Sequence, residues 1–267
     1  MDATTYTRIV TKAPFHDEGY GFDVFGLHPP ALASVVSASA PIYERYFRVD
    51  SAGAERIPKR GPAILVANHG GVLPVDAAML CLDVLRRTDP PRIPRAVADQ
   101  FVPGLPLIST LFARFGVVGG TRANVRRLLE RDELIAIWPE GVSGPAKRFR
   151  DRYRIQNWRV GFAELAIRHR APVVPVAIIG AEESWPKLAS LRRFHMFGVP
   201  YLPIPATPVP LPVHFHIQYG EPLYLDRGLG PSDADDPGIV AAAAAQVRAA
   251  VEQLVDDART RRRGVFR

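Results

Sequence analysis

The feature that most constrains this chain is a short apolar run that ends abruptly in a glycine loop. Ile64-Leu65-Val66-Ala67 has the composition of a strand buried on both faces, Asn68-His69-Gly70-Gly71 breaks it, and a helix-like run opens near Asp76-Ala77-Ala78-Met79-Leu80. Strand, glycine loop and helix in that order belong to an α/β fold, in which ligands collect at the carboxyl ends of the strands. The loop carries His69, the side-chain type best suited to take a proton near neutral pH. Asp76 follows at the helix start, where a carboxylate can fix the imidazole tautomer and stabilise its charged form. The glycines let the backbone turn tightly and approach a ligand closely. The pair therefore reads as a base and its orienter.

The same grammar recurs. Leu134-Ile135-Ala136-Ile137 runs into Trp138-Pro139-Glu140-Gly141, and Val173 to Ile179 runs into Gly180-Ala181-Glu182-Glu183. Gly116-Val117-Val118-Gly119-Gly120-Thr121-Arg122 lies between the His69 loop and the Leu134 run, and Arg122 opens a helical run through Leu128 and Leu129. These blocks, with Val173-Val174-Pro175-Val176-Ala177, stand in the order found in the glycerolipid (lysophospholipid) acyltransferase superfamily and resemble it, in particular the 1-acylglycerol-phosphate acyltransferase type. That family is marked by a His-spacer-Asp motif, a Gly…Arg block, a Phe-Pro-Glu-Gly block and a last strand with an internal proline. The resemblance spans about residues 63–180.

The resemblance implies a single α/β domain of the glycerol-3-phosphate acyltransferase kind, a mixed and largely parallel sheet flanked by helices. It also implies an O-acyltransferase that needs neither metal nor cofactor. An acyl thioester, acyl-CoA or acyl carrier protein, is the donor, and a lysophospholipid or glycerol-phosphate lipid is the acceptor. His69 is then the general base and Asp76 its orienter. Backbone N–H groups near Gly70 and Gly71 are candidates to hold the oxyanion. Glu140 and Gly141 fix the acceptor or the site loops, and Arg122 contacts acceptor phosphate. A guanidinium at a helix N-terminus is chemically suited to that contact.

Two departures from the family pattern concern the acceptor. Six residues separate His69 from Asp76 where the commonest form has four, a spacing associated with a branch nearer the mono- and diacylglycerol acyltransferases. Glu140-Gly141 continues as Val142-Ser143 rather than Thr-Arg, so Lys147 or Arg148 takes the phosphate or the acceptor carries none. A neutral alcohol, such as a diacylglycerol or wax alcohol, is the alternative substrate, and a non-catalytic lipid-binding protein is a further one. Gly141-Val142-Ser143-Gly144-Pro145 nearly matches a serine-hydrolase elbow, but proline stands in the last glycine's place.

Charge narrows the partners. The formal net charge is +7 and the pI about 9.8, which suits anionic partners. No zinc-ligand set or helix-turn-helix signature points to nucleic acid, so lipid and phosphate lead. The single cysteine, Cys81, excludes an intrachain disulfide and reads as a small core residue. The first residues lack the pattern of a signal peptide, and no apolar run is expected to reach the roughly 18 residues needed to span a bilayer. The expectation is a cytoplasmic protein, peripherally attached to the inner face of the membrane, and no oligomeric state is assigned.

Residues 1–28 read as an irregular arm held by Phe22, Phe25 and Leu27, and 29–267 as the acyltransferase domain. A helix is expected from Ala31 to Phe47, short strands at Phe47–Asp50 and Arg95–Ala98, and a helix from Pro106 within the apolar segment Pro103–Phe115, more a buried connection than the wall of an acyl groove. Phe194 to Pro205 is apolar yet proline-rich, so it reads as a loop that lies on lipid or roofs the acyl site. His214 and His216 share a strand face as a metal pair would, but no further ligand is visible in sequence and they are assigned to structure. A last helix presents Val240, Ala243, Val247, Val251, Leu254 and Ala258 as one stripe.

Overall fold

In the computed structural model, which describes residues 3–191, 198 and 201–266, the core is a seven-stranded sheet. Its strands are β1 (Asp50–Ala52), β2 (Ala63–Ala67), β3 (Pro94–Ala98), β4 (Val118–Gly119), β5 (Leu134–Ile137), β6 (Val173–Ile179) and β9 (His216–Tyr219), in the order β1-β9-β6-β2-β5-β3-β4. Strands β6, β2, β5, β3 and β4 are mutually parallel, whereas β9 runs antiparallel to β6 and β1 parallel to β9. The sheet is thus mixed and largely parallel, as expected. A separate hairpin joins β7 (Lys187–Leu191) and β8 (Leu202–Pro205).

Strand β2 sits near the middle, and every one of its residues is buried. The pleat explains its uninterrupted apolarity. Leu65 and Ala67 enter one core layer with Met79 and Leu80 of α3 (Val75–Arg87), while Ile64 and Val66 enter the other with Leu128 of α5 (Arg122–Leu129) and Leu165 of α7 (Gly161–His169). The first layer also receives α1 (Ala3–Lys12) and α2 (Pro29–Pro41), and the second receives α9 (Pro237–Arg261). Three shorter helices complete the set, α4 (Ile108–Arg114), α6 (Ser143–Ala146) and α8 (Ala181–Ser184).

Several expectations need correction. The first 28 residues are not irregular throughout, because α1 buries Tyr6 and Val10 against the core. The rest of that segment is held by charge as well as by apolar side chains: Asp23 pairs with the fully buried Arg95 at 2.6 Å. The strand expected at Phe47–Asp50 begins only at Asp50, after α2 has relaxed into a π-helical turn over Ile42–Tyr46. The segment from Pro103 to Phe115 is not a buried connection. Leu107, Ile108 and Leu111 are exposed, and the segment walls a cavity of about 740 Å³ with Phe25, Ala98, Val117 and Gly120.

Contrary to the expectation that no apolar run is long enough to span a bilayer, helix α9 is long and apolar enough to cross a membrane by length and composition. Here it flanks the sheet, with Val240, Ala244, Val247, Val251, Val255 and Ala258 buried. Most of the apolar proline-rich loop, Phe194 and Phe197 included, lies outside the described residues.

Candidate active site

The site begins where β2 ends. Asn68 cannot continue the strand's apolar pattern, and its amide group completes a backbone-like pair with β6: its Nδ2 donates to Ile178 O at 2.9 Å and its Oδ1 accepts from Ile178 N at 2.7 Å. The next residue is thereby placed at a fixed height above the sheet. The backbone N–H of His69 donates to Glu140 Oε1 at 2.9 Å, which ties the loop after β2 to the loop after β5.

His69 Nδ1 lies 2.6 Å from Asp76 Oδ2, and the Asp76 side chain is fully buried. An ionised carboxylate only accepts, so Nδ1 carries the proton and the Nε2 of the neutral ring is bare. The His69 side chain is 15% exposed, enough to meet a substrate while staying largely dry. Burial works against a charged ring, but the charge and hydrogen bond of Asp76 and the charge of Glu140 outweigh it, so the imidazole pKa is raised above its ordinary value. Asp76 is itself fixed by two backbone donors, Gly70 N at 3.1 Å and Ala77 N at 2.8 Å. The arrangement is an imidazole whose Nδ1 is held by a fully buried carboxylate and whose Nε2 carries no hydrogen bond among the described residues.

The glycines serve close approach. A Cβ on Gly70 would meet Glu182 Cγ at 2.1 Å, and Gly71 has φ +94°. Gly70 N–H is engaged by Asp76 and is not a free oxyanion donor. Gly71 N–H has no partner among the described residues, and Gly71 lines a narrow cleft with Lys147, Arg148, Glu182 and Lys187. Gly141 serves its own turn, with φ +51° and its N–H donating to Trp138 O.

The expected cations fare differently from one another. Arg122 is exposed at the start of α5 and its guanidinium pairs with Glu164 at 2.6 Å. The Lys147 ammonium is buried between Glu182 Oε1 at 2.7 Å and Glu140 Oε2 at 3.3 Å. Lys147 presents no free charge, whereas Arg122 is largely exposed and shares Glu164 with Arg168. Arg148 is exposed in the cleft, and its side chain has no polar partner among the described residues.

Glu140 acts on the site loops: besides His69 N it accepts from Gln156 N at 2.9 Å, and it is buried. Glu182, which follows the last strand of the family pattern, is buried, accepts from Lys147 and Tyr153 N, and packs closely against Gly70. Burial pushes its carboxyl above the usual carboxylate range, against the pull of Lys147. Gly144 was noticed only as part of a hydrolase-like stretch, and it is instead the residue that lets α6 pass His69, since a Cβ there would meet His69 O at 2.7 Å. Ser143 is exposed and makes no side-chain hydrogen bond to His69, so no serine–histidine pair exists. Burial, then the charge of Asp76, push the Cys81 thiol up to about 12, which leaves it inert.

With the geometry in hand, comparison with known proteins gives a consistent result. The acyltransferase family model matches residues 48–179, which contain all of the blocks above. An uncharacterized protein of Mycobacterium tuberculosis is 37% identical over 258 residues, covering 92% of this chain and 72% of that protein. The bovine protein named "DGAT1/2-independent enzyme synthesizing storage lipids" is 28% identical over 244 residues, covering 90% of this chain and 67% of its own. The crystal structure of the 1-acyl-sn-glycerophosphate (LPA) acyltransferase PlsC from Thermotoga maritima shares the fold with a TM-score of 0.57 at 16% identity, covering 98% of this chain and 97% of that one. The chain belongs to the acyltransferase family, within the glycerolipid acyltransferase superfamily. It is an acyltransferase.

Proposed function

We propose that the protein moves a fatty acyl group from an acyl thioester, acyl-CoA or acyl carrier protein, to the hydroxyl of a neutral lipid alcohol such as a diacylglycerol. The observation that carries the chemistry is the 2.6 Å contact between His69 Nδ1 and the buried Asp76, which leaves Nε2 as the base. The acceptor hydroxyl gives its proton to Nε2 as its oxygen attacks the thioester carbonyl. Gly71 N–H is the available donor for the resulting oxyanion. Collapse of the tetrahedral intermediate breaks the carbon–sulfur bond, and the leaving thiolate takes the proton back from His69. No acyl-enzyme is required.

A neutral acceptor is favoured over a phosphorylated one because Arg122 and Lys147 are both engaged by carboxylates. The storage-lipid name of the bovine relative points the same way. Arg148 then suits a phosphate of the donor, which CoA and phosphopantetheine both carry. The cavity of about 740 Å³ between Phe112, Val117 and Ala98 has the size and apolar lining for an acyl chain. The exposed Leu188, Leu191, Leu202 and Ile204 of the β7–β8 hairpin support peripheral attachment to the cytoplasmic face of a membrane.

The test is thiol release from a long-chain acyl-CoA with a panel of acceptors: lysophosphatidic acid, a lysophospholipid, a diacylglycerol and a long-chain alcohol. Release that requires a neutral acceptor and falls by about 10²–10⁴-fold in His69→Ala is expected. Near-normal turnover by the folded His69→Ala protein overturns the role of His69, and release that requires a phosphorylated acceptor overturns the acceptor assignment.

A further inference from the structure

The sheet edge opposite β4 holds a second cluster of chemistry-bearing side chains, independent of His69. Asp50 of β1 and His216 of β9 are register partners across the β1–β9 pair. His214 precedes His216 by two residues, so strand pleating puts both rings on one face. Their ring centroids are 4.4 Å apart. One nitrogen from each imidazole and one Asp50 carboxylate oxygen all lie within 4.8 Å of one another. Sequence alone offered two of these three groups; the third comes from a strand far away in the chain.

The hydrogen-bond inventory adds an independent sign. His214 Nδ1 and His216 Nε2 are buried and have no hydrogen-bond partner among the described residues. Buried polar atoms are nearly always satisfied, and each orphan costs free energy. Two orphaned imidazole nitrogens beside a carboxylate are the groups that a cation with nitrogen and oxygen preferences would complete.

We propose that Asp50, His214 and His216 form a binding site for one divalent transition-metal ion of the zinc type. Two imidazoles and a carboxylate match its ligand preference. Tetrahedral zinc with bonds of about 2.0–2.1 Å holds its ligand atoms about 3.4 Å apart, so the present spacing needs only side-chain adjustment to close. Asp50 is exposed, which leaves a coordination position for water. The nearby cation Arg262 is matched by a bidentate contact with Glu183 and does not oppose a metal.

Because β1 and β9 run against β6, the cluster sits at the same end of the sheet as His69, two strands beyond β2. The His214 N–H donates to Val265 O at 2.9 Å, so the metal would clamp the edge strand and the segment after α9 together. This role is structural and does not depend on the acyl-transfer reading.

The test uses the whole chain, stripped by chelator and titrated with ZnCl2 by calorimetry and with Co²⁺ by visible absorption. One equivalent at micromolar or tighter affinity, ligand-field bands of tetrahedral Co²⁺ and a Tm raised by zinc are expected. Asp50→Asn and His216→Gln should each weaken binding by at least about 10-fold. Asp50 is exposed, so Asp50→Asn keeps the fold, and circular dichroism checks both variants. Absence of binding below about 100 µM, or equal binding in a folded Asp50→Asn/His216→Gln double variant, overturns the site.

Discussion

The Nζ of Lys147 lies 2.7 Å from Glu182 Oε1 in the interior, with the side chains 3% and 7% exposed. This ion pair takes the first cation after the Glu140-Gly141 turn out of solvent and converts it from a candidate substrate contact into a tie between the α6 and α8 loops. Glu140 completes the triad from the third loop. A buried charge that loses its partner is destabilising by about 3–5 kcal/mol. Lys147→Ala should therefore lower unfolding stability by about that much in urea titrations, as two buried carboxylates lose their counter-ion. Loss below about 1 kcal/mol would return Lys147 to the substrate.

The pH profile tests the base. The raised imidazole pKa of His69 puts the acid limb of kcat/KM above the ordinary imidazole value of about 6.5, because only the neutral ring accepts a proton. Stability has the opposite sign. A pKa raised by folding contributes stability that is complete below about 6.5 and is lost as pH rises through the folded value. Asp76→Asn removes the charge that raises the pKa, so the limb should move to lower pH while activity falls by about 10²–10⁴-fold. A limb that stays in place would separate Asp76 from the base.

Close packing makes Gly70 a sensitive position. A methyl group there collides with Glu182, whose carboxylate is already held by Lys147 and Tyr153 N. Gly70→Ala should cost about 1–3 kcal/mol and displace the His69 loop. Thermal unfolding and the turnover assay together check this, with both Tm and kcat reduced.

Arg148 distinguishes donor from acceptor. If its guanidinium meets the donor phosphate, Arg148→Ala raises the KM for acyl-CoA several-fold with kcat little changed. A rise confined to the acceptor's KM would instead assign Arg148 to an acceptor phosphate.

Attachment to lipid is checked through the β7–β8 hairpin. Leu188→Ser, Leu191→Ser and Leu202→Ser combined should reduce sedimentation with anionic liposomes several-fold while far-UV circular dichroism is unchanged. Unaltered binding would move the contact elsewhere.

Much of this was legible because it is local. The apolar run at β2, its stop at Asn68 and the helix beginning beside Asp76 follow from strand composition and glycine placement, and the largely parallel sheet followed from the family resemblance that the blocks carry. What escaped is long-range. Nothing in the sequence joins Lys147 to Glu182 or Asn68 to Ile178, because each pair meets only when separate loops converge above the sheet. The reversal of β1 and β9 is equally hidden, since a three-residue and a four-residue strand carry little periodicity. Helix α1 was missed because its face is formed by few residues, of which Tyr6 and Val10 do the burying.

The pairing of Asp50 with His216 has a consequence for how the chain is made. Among the described residues strand β1 has no sheet partner other than β9, which lies beyond every acyltransferase block. Pairings so distant in sequence form slowly because a long loop must close first. During synthesis the parallel centre can assemble from β2, β3, β4, β5 and β6, while β6 keeps an unpaired edge until β9 emerges. An open edge of that kind invites wrong partners. The edge strand thus falls into place only late in synthesis, and the interval before it does is when this side of the nascent chain is most open to wrong partners.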